Sequence, residues 1–483
     1  MTDRLKELFD PGKFKDLGYR MVDLLADYLK NMNEENAPAN NWEEPSEQLK
    51  YWKNYETGSS PMQLFEDIMS RSINIHHPAY MGHQLTAPAP ITGLTSMLGA
   101  VLNNGMAIYE MGPSATAIEK VVIDELLSKV GFSSKGDGFM TSGGTLANLT
   151  ALLSARKAMS NTDIWEEGYN ENLGVMVSSE AHYCIDRAAR IMGFGSKGIV
   201  KVPVGESFCM KTELLDEYYK KAEEQGVKII AVIGSAPSTS TGMYDNFDEI
   251  ADFCKKKNLW FHVDGAHGGA VIYSKKYKHL VKGMEKADSV VIDGHKMLMT
   301  PALLTFLLFK NKNHSYNTFN QNAKYLLENS DEDEWYNSAG RSFECTKKMM
   351  SINFYSILKI YGAEVFDDYV TTLYDIGKQF ADKVLQRKNF ELALLPHSNI
   401  VCYRYVHPGL NNIELNILNA KIRNRILKEG KFYIVQTSLN DIIYMRNTFM
   451  NHRTTIQIMD DLLDEIENIG INETHADKKK QTG

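Results

Sequence analysis

Between Phe14 and Met32 the chain reads FKDLGYRMVDLLADYLKNM, with apolar side chains at Leu17, Met21, Leu24, Leu25 and Leu29. Steps of three and four residues gather them on one stripe of a helix. The first 85 residues carry no apolar runs that could form a separate core, so the stripe needs cover from elsewhere. Residues 1–85 are expected to form a helical arm that contributes to a homodimer.

The pattern changes between Gly105 and Lys310. Short apolar runs, LGVMVSS, VKIIAVIGSA, LWFHVD, SVVID and LLTFLLFK, alternate with helix-like stretches. Strands apolar on both faces suit a parallel sheet covered by helices on both sides. The expectation is an α/β fold with a mostly parallel sheet over residues 86–339. Its last part, 311–339, is rich in Asn and acidic residues and reads as a mobile loop. Residues 340–470 are expected to form a small C-terminal α+β domain, with strands at NIVCYRY and on both sides of Asn440-Asp441. The polar tail, 471–483, is expected to be disordered.

Composition narrows the class. The 483 residues are 43% hydrophobic and 24% charged, as in ordinary globular proteins, with a formal charge of -8. Without a basic surface, nucleic acid and anionic membranes are unexpected partners. No signal-like or membrane-length apolar segment occurs, which places the protein in the cytoplasm by expectation. Five scattered cysteines with no C-x-x-C pair argue against a disulfide framework or zinc ribbon.

In open α/β sheets reactive side chains gather at the C-terminal ends of strands. Four segments there carry chemistry. TSGGTLANL places Ser142, Gly143, Gly144 and Thr145 before a helix, an arrangement able to bind one phosphate. It matches neither the G-x-x-x-x-G-K-[ST] loop nor G-x-G-x-x-G. His182 follows the strand LGVMVSS, where an imidazole can stack on a flat ring. HVDGAH offers Asp264 between His262 and His267. That H-x-D-x-x-H pattern could ligate zinc or iron, or its carboxylate could pair with a ring nitrogen. VVIDGHK places Lys296, after Gly294 and His295, at a strand end where burial favours Schiff-base chemistry.

Taken singly, each of these has a plain structural explanation. Taken together, an anion cradle, a stacking ring, a carboxylate and a lysine supply what pyridoxal 5'-phosphate needs. Asp264 would keep the ring nitrogen protonated so that the ring accepts electrons, and the metal reading recedes.

The segments GYRMVDLLADYL, HHPAYMGHQ, YEMGPSATAIE, TSGGTLANL, SSEAHYCIDRAAR, HVDGAHGGA, DGHKM and YMRNTFMNHRTT occur in an order that spans nearly the whole chain. In this the chain resembles the group II pyridoxal-phosphate-dependent amino acid decarboxylases, which include glutamate, aromatic amino acid, cysteine sulfinate and 2,4-diaminobutyrate decarboxylases. The resemblance implies a fold-type I homodimer. It also implies that Lys296 carries the cofactor, Asp264 pairs with the pyridine nitrogen and His182 stacks on the ring, with Ala266 on the opposite face. Ser142, Gly143 and Thr145 would hold the phosphate, with Thr239 and His295 near the cofactor. Arg446 would orient the substrate carboxylate, and a loop tyrosine, Tyr336 first and Tyr325 second, would return a proton to Cα.

Three departures stand out, the first being Pro237 and Ser238 where Gly-Thr is common, so no role is carried onto Ser238. Asp293 occupies a position where asparagine is common, so no phosphate role is carried onto it. The pocket segment lacks the aromatic, proline-containing character of aromatic decarboxylases. His83 and Gln84 offer polar contacts, and GHQ with RSFECTKK resembles the 2,4-diaminobutyrate and siderophore-type lysine decarboxylases. A polar substrate is therefore expected, 2,4-diaminobutyrate or lysine first, then aspartate or glutamate, then aromatic amino acids. An aminotransferase or an aldehyde synthase is the rival class.

Overall fold

The computed structural model describes residues 1–35, 37–319 and 335–481. They fall into two compact units, one of residues 84–375 and 396–400, the other of residues 1–83, 376–395 and 401–483.

The larger unit is built on a seven-stranded sheet. Its strands are β1 (Asp137–Thr141), β2 (Leu173–Ser178), β3 (Ile199–Val202), β4 (Lys228–Ser235), β5 (Trp260–Asp264), β6 (Ser289–Asp293) and β7 (Thr305–Phe309), in the order β1-β7-β6-β5-β4-β2-β3. From β6 to β3 every pairing is parallel, whereas β7 runs antiparallel to both β1 and β6. The five expected apolar runs are β2, β4, β5, β6 and β7. Every residue of β2, β5, β6 and β7 is buried, which is why these strands read as apolar runs, whereas β1, equally buried, has the sequence DGFMT and is not among them. Val175, Val177, Ile230, Ile233, Val291 and Leu307 form one core with side chains of the helices Gly144–Met159 and Tyr183–Ile191. The small residues Ala147, Ala151 and Ala155 line the buried face of the first of these helices.

The smaller unit holds β8 (Phe390–Leu392), most of β9 (Ile400–Tyr405), β10 (Val435–Leu439) and β11 (Ile442–Thr448). β10 and β11 form the hairpin expected at Asn440-Asp441, and both turn residues take positive φ, 50° and 63°. Positive φ at both central positions is the signature of the two-residue turn that matches strand twist. In the helix Pro11–Asn33 the Asp10 carboxylate accepts from the Gly12 and Lys13 N–H groups, and Pro11 opens the first turn. Only Met32 of this helix is buried, so its apolar stripe stays partly open.

Two expected boundaries are corrected. The larger unit does not end at 339 but continues to Asp375, and residues 1–83 cluster with the C-terminal segments rather than standing apart. Of the tail expected to be disordered from 471, residues 471–481 lie instead in the helix Ile456–Gln481, and 482–483 lie outside the described residues. Met459, Leu462, Leu463, Ile466 and Ile469 recur on one buried face of that helix and anchor it.

Candidate active site

The strands of the larger unit end around a cavity of about 310 Å³. Ser142 and the glycine pair come directly after β1, Ser235 and Asp264 close β4 and β5, and Asp293 closes β6 with Lys296 one turn beyond. This is the C-terminal edge of the parallel strands, where α/β sheets place their ligands. Of the residues singled out in the sequence, Ser142, Gly143, Thr145, His182, Thr239, Asp264, Ala266, His295 and Lys296 all line the cavity.

Gly143 has φ 111° and ψ 156°, a conformation open to glycine almost alone. A Cβ there would meet only Leu303, at an ordinary 3.5 Å, so the backbone rather than crowding requires the glycine. The helix that follows is 16 residues long, and its first N–H groups have no acceptor within the helix. Such a helix start receives a phosphate. Ser142 itself is committed elsewhere: its N–H donates to Glu344 Oε2 at 3.3 Å and its hydroxyl to Glu344 Oε1.

His182 caps the helix Tyr183–Ile191, its Nδ1 accepting from the Cys184 N–H at 3.3 Å. Burial holds its pKa below the usual imidazole value, with Lys296 adding to the effect and Asp264 opposing it. The ring is therefore neutral at physiological pH, the form suited to stacking. Asp264 Oδ1 accepts from the Ala266 N–H at 3.2 Å.

Lys296 Nζ lies 3.0 Å from Asp293 Oδ2. Thr305 donates to the other oxygen of Asp293 at 2.5 Å, and His295 Nε2 stands 3.6 Å from Oδ2. Burial alone would raise the pKa of Asp293, but Lys296 and His295 outweigh it and hold the carboxyl below its ordinary value. His295 Nδ1 lies 2.8 Å from the Leu304 carbonyl, which fixes its ring against the strand β7 begins.

The two histidines of H-x-D-x-x-H diverge. His262 is bound between Ser289 and Asn148, and His267 Nε2 lies 2.8 Å from Asn399 Oδ1. Among the described residues no group of three or more His, Cys, Asp or Glu side chains is placed to hold a metal ion. The donor set of the cavity suits an organic cofactor instead. Lys296, Asp264, His182 and the glycine turn offer an amine, a carboxylate, a flat ring and an anion cradle around one space large enough for a small ligand.

Over residues 47–406 the chain matches the pyridoxal-dependent decarboxylase conserved domain. It belongs to that family. It is 28% identical to the human acidic amino acid decarboxylase GADL1 over 88% of this chain and 85% of the relative. It is 26% identical to an aromatic-L-amino-acid decarboxylase of Bacillus atrophaeus over 92% and 93%. A solved structure of the glutamate decarboxylase domain of a Vibrio parahaemolyticus diaminobutyrate-pyruvate transaminase and L-2,4-diaminobutyrate decarboxylase superposes with a TM-score of 0.81 at 25% identity, covering 92% of this chain and 94% of that one. The fold is therefore fold-type I, the enzyme is a carboxy-lyase acting on an amino acid, and its cofactor is pyridoxal phosphate.

Four expected residues are not among those lining this cavity. Arg446 is a buried residue of β11 in the smaller unit, and His83 lies in the same unit with its ring 5.9 Å from that of Tyr433. Gln84 begins the larger unit and its side-chain nitrogen is buried without a hydrogen-bond partner. Tyr336 packs edge-to-face on Tyr109 at 5.8 Å and is not among the lining residues. Tyr325 lies outside the described residues.

Sequence reasoning passed over Asn148, Cys184 and Ser235, which also line the cavity, as does Pro237, noted only as a departure from the family pattern. Asn148 left one signal, an amide on the helix face that buries Ala147, Ala151, Leu152 and Ala155.

Proposed function

We propose that the enzyme removes the α-carboxylate of an acidic L-amino acid, with Lys296, Asp264 and His182 holding the cofactor. When bound, the pyridine ring supplies an electron sink for the carbon that loses carbon dioxide. Asp264 is assigned to keeping the ring nitrogen protonated, His182 to covering one face and Ala266 the other. Gly143 and Thr145, with Ser142, are assigned to the phosphate, and Thr239 and His295 to the cofactor's surroundings. Arg446 is assigned to the substrate α-carboxylate, and Tyr336 to returning a proton to Cα.

The preference for an acidic side chain rests on His83. Its imidazole is held below its ordinary pKa by burial and then by the positive charges of Arg446 and Arg423. If His83 and Gln84 meet the substrate, as the sequence resemblance implies, an ammonium side chain would add a further positive charge there. A second carboxylate would instead find the charge of Arg423, beside the Arg446 assigned to the α-carboxylate. This reverses the order read from the sequence, which put 2,4-diaminobutyrate and lysine first. The diamino acid remains the second reading, favoured by the 25% identity to the Vibrio decarboxylase domain.

The working unit is proposed to be a homodimer. Leu94, Met97, Leu98, Val101 and Leu102 of the helix Pro90–Leu102 are each about half exposed and share one helix face, the kind of apolar surface on which a second subunit can pack.

The test is amine and carbon dioxide formation by cofactor-loaded protein with aspartate, glutamate, 2,4-diaminobutyrate, lysine and tyrosine, with Lys296→Ala as control. Product from an acidic substrate, lowered by roughly a thousandfold or more in the control, is expected. A diamine as the main product would overturn the acidic assignment. Sedimentation of the loaded protein checks the dimer, and a monomer under assay conditions would remove it.

A further inference from the structure

Four buried side chains of the larger unit form an unbroken hydrogen-bonded chain. Trp260 Nε1 lies 2.9 Å from Ser289 Oγ, Ser289 Oγ lies 2.7 Å from His262 Nδ1, and His262 Nε2 lies 2.7 Å from Asn148 Oδ1. The Asn148 amide nitrogen then reaches the Gly144 carbonyl at 2.9 Å and Cys184 Sγ at 3.6 Å. None of the four side-chain residues is more than 2% exposed.

The two ends set the direction of every bond. An indole nitrogen can only donate and a carbonyl can only accept. Trp260 therefore donates to Ser289, whose hydroxyl proton is left for His262 Nδ1. At the other end Asn148 must turn its NH₂ to the Gly144 carbonyl, which leaves its oxygen to accept from His262 Nε2–H. His262 is thereby fixed as one neutral tautomer. Burial pushes its pKa down to about 4, against the opposing pull of Asp264, in keeping with a ring that carries no charge.

The chain joins two parts of the proposed cofactor site. One end is on β5 and β6, with His262 two residues before Asp264. The other is the carbonyl of Gly144, in the glycine turn before Thr145. Asn148 also lines the cavity itself.

We propose that Asn148 and His262 are positioning residues for the cofactor, holding the glycine turn that takes the phosphate in register with the strand that presents Asp264 to the ring nitrogen. This rests on the cofactor assignment above. A substitution that breaks the chain shifts the turn relative to Asp264, so it weakens the grip on a ligand that must reach both. A ligand lacking the phosphate has no such demand.

The experiment uses the full-length protein stripped of cofactor, titrated by absorbance with pyridoxal phosphate and separately with pyridoxal. Asn148→Leu removes the hydrogen bonds without adding charge. Asn148→Asp keeps the acceptor for His262 but sets a carboxylate against the Gly144 carbonyl. Both are expected to weaken pyridoxal phosphate binding by about tenfold or more, the scale of one lost buried hydrogen bond. Pyridoxal binding should change by less than about threefold on the same scale, and the melting temperature of the cofactor-free protein should hold. Ser289→Ala, which interrupts the chain at its far end, should give a smaller loss in the same sense and serves if either Asn148 variant does not fold.

Unchanged pyridoxal phosphate affinity in these variants would overturn the proposal. So would an equal loss for both ligands, or a loss that follows the melting temperature, since either outcome reports a packing role alone. Failure of the unsubstituted protein to bind pyridoxal phosphate would instead strike the cofactor assignment on which the proposal rests.

Discussion

Asp293 Oδ2 stands 3.0 Å from Lys296 Nζ, in surroundings that leave the aspartate 2% exposed. A buried ion pair adds little net stability over an apolar pair, but removing one partner strands the other charge. Asp293→Ala is therefore expected to destabilise the cofactor-free protein by about 3 kcal/mol, and Asp293→Asn by less because it keeps the Thr305 hydrogen bond. Urea unfolding of the three proteins checks this, and equal stability of Asp293→Ala and the parent would refute it. The folded carboxyl is held below its unfolded value. Its contribution is thus fully present above the ordinary carboxylate range and is lost as pH falls through the lowered folded value.

His262 gives a separate acid-side signature. Its pKa is about 4 in the folded protein against 6.5 as a reference, because burial disfavours the charged ring. With the folded value depressed, the unfolded state binds the extra proton first. The neutral ring's contribution is complete above pH 6.5 and fades towards pH 4, by up to about 3 kcal/mol. Chemical denaturation across that range should show the slope, and His262→Gln should flatten it. A parallel slope in the variant would assign the effect to other groups.

The Glu344 carboxylate holds both donors of Ser142, the residue assigned to the phosphate. Two anions compete for those donors. Removing one charge at about 4 Å in water-like surroundings is worth about 1 kcal/mol. Glu344→Gln is expected to tighten pyridoxal phosphate binding roughly fivefold and leave pyridoxal binding unchanged. Weaker pyridoxal phosphate binding in this variant would show that Glu344 supports the turn rather than competes with the phosphate. Glu344 is itself held in place from both sides, since Arg341 pairs with Asp137 at 2.8 Å and Lys347 with Glu119 at 2.7 Å, all four buried.

Tyr336→Phe deletes a hydroxyl while keeping the ring that packs on Tyr109. If Tyr336 returns the proton, amine formation should fall by about a hundredfold or more with substrate affinity retained. Unchanged turnover in single-substrate kinetics would shift the role to another group, with Tyr325 next to be tested.

How much of this was legible in the sequence follows from the range of the forces involved. β2, β4, β5, β6 and β7 announce themselves because a strand covered on both faces must be apolar throughout. The β10–β11 turn does so because Asn and Asp tolerate positive φ. Asp264 and Lys296 could be found in the same way, since they stand at or just past the ends of the recognisable strands β5 and β6, whereas Ser142 to Thr145 were marked by their glycine pair before a helix. The helix Ile456–Gln481 was missed because its polar C-terminal half hides the buried stripe that begins at Met459.

The order of residues by itself determined the α/β class, the edge of the sheet where chemistry collects and the set of groups a pyridoxal phosphate enzyme requires. Each depends on local periodicity or on residue type at a strand end. Only the tertiary structure decided that β7 runs against its neighbours, that residues 1–83 cluster with the C-terminal segments, and that His262 serves Asn148 rather than a metal. It alone brought Glu344 to Ser142 and Asn148 to His262. Pairings between distant segments depend on which surfaces meet once the core closes, and no short window of sequence carries that information.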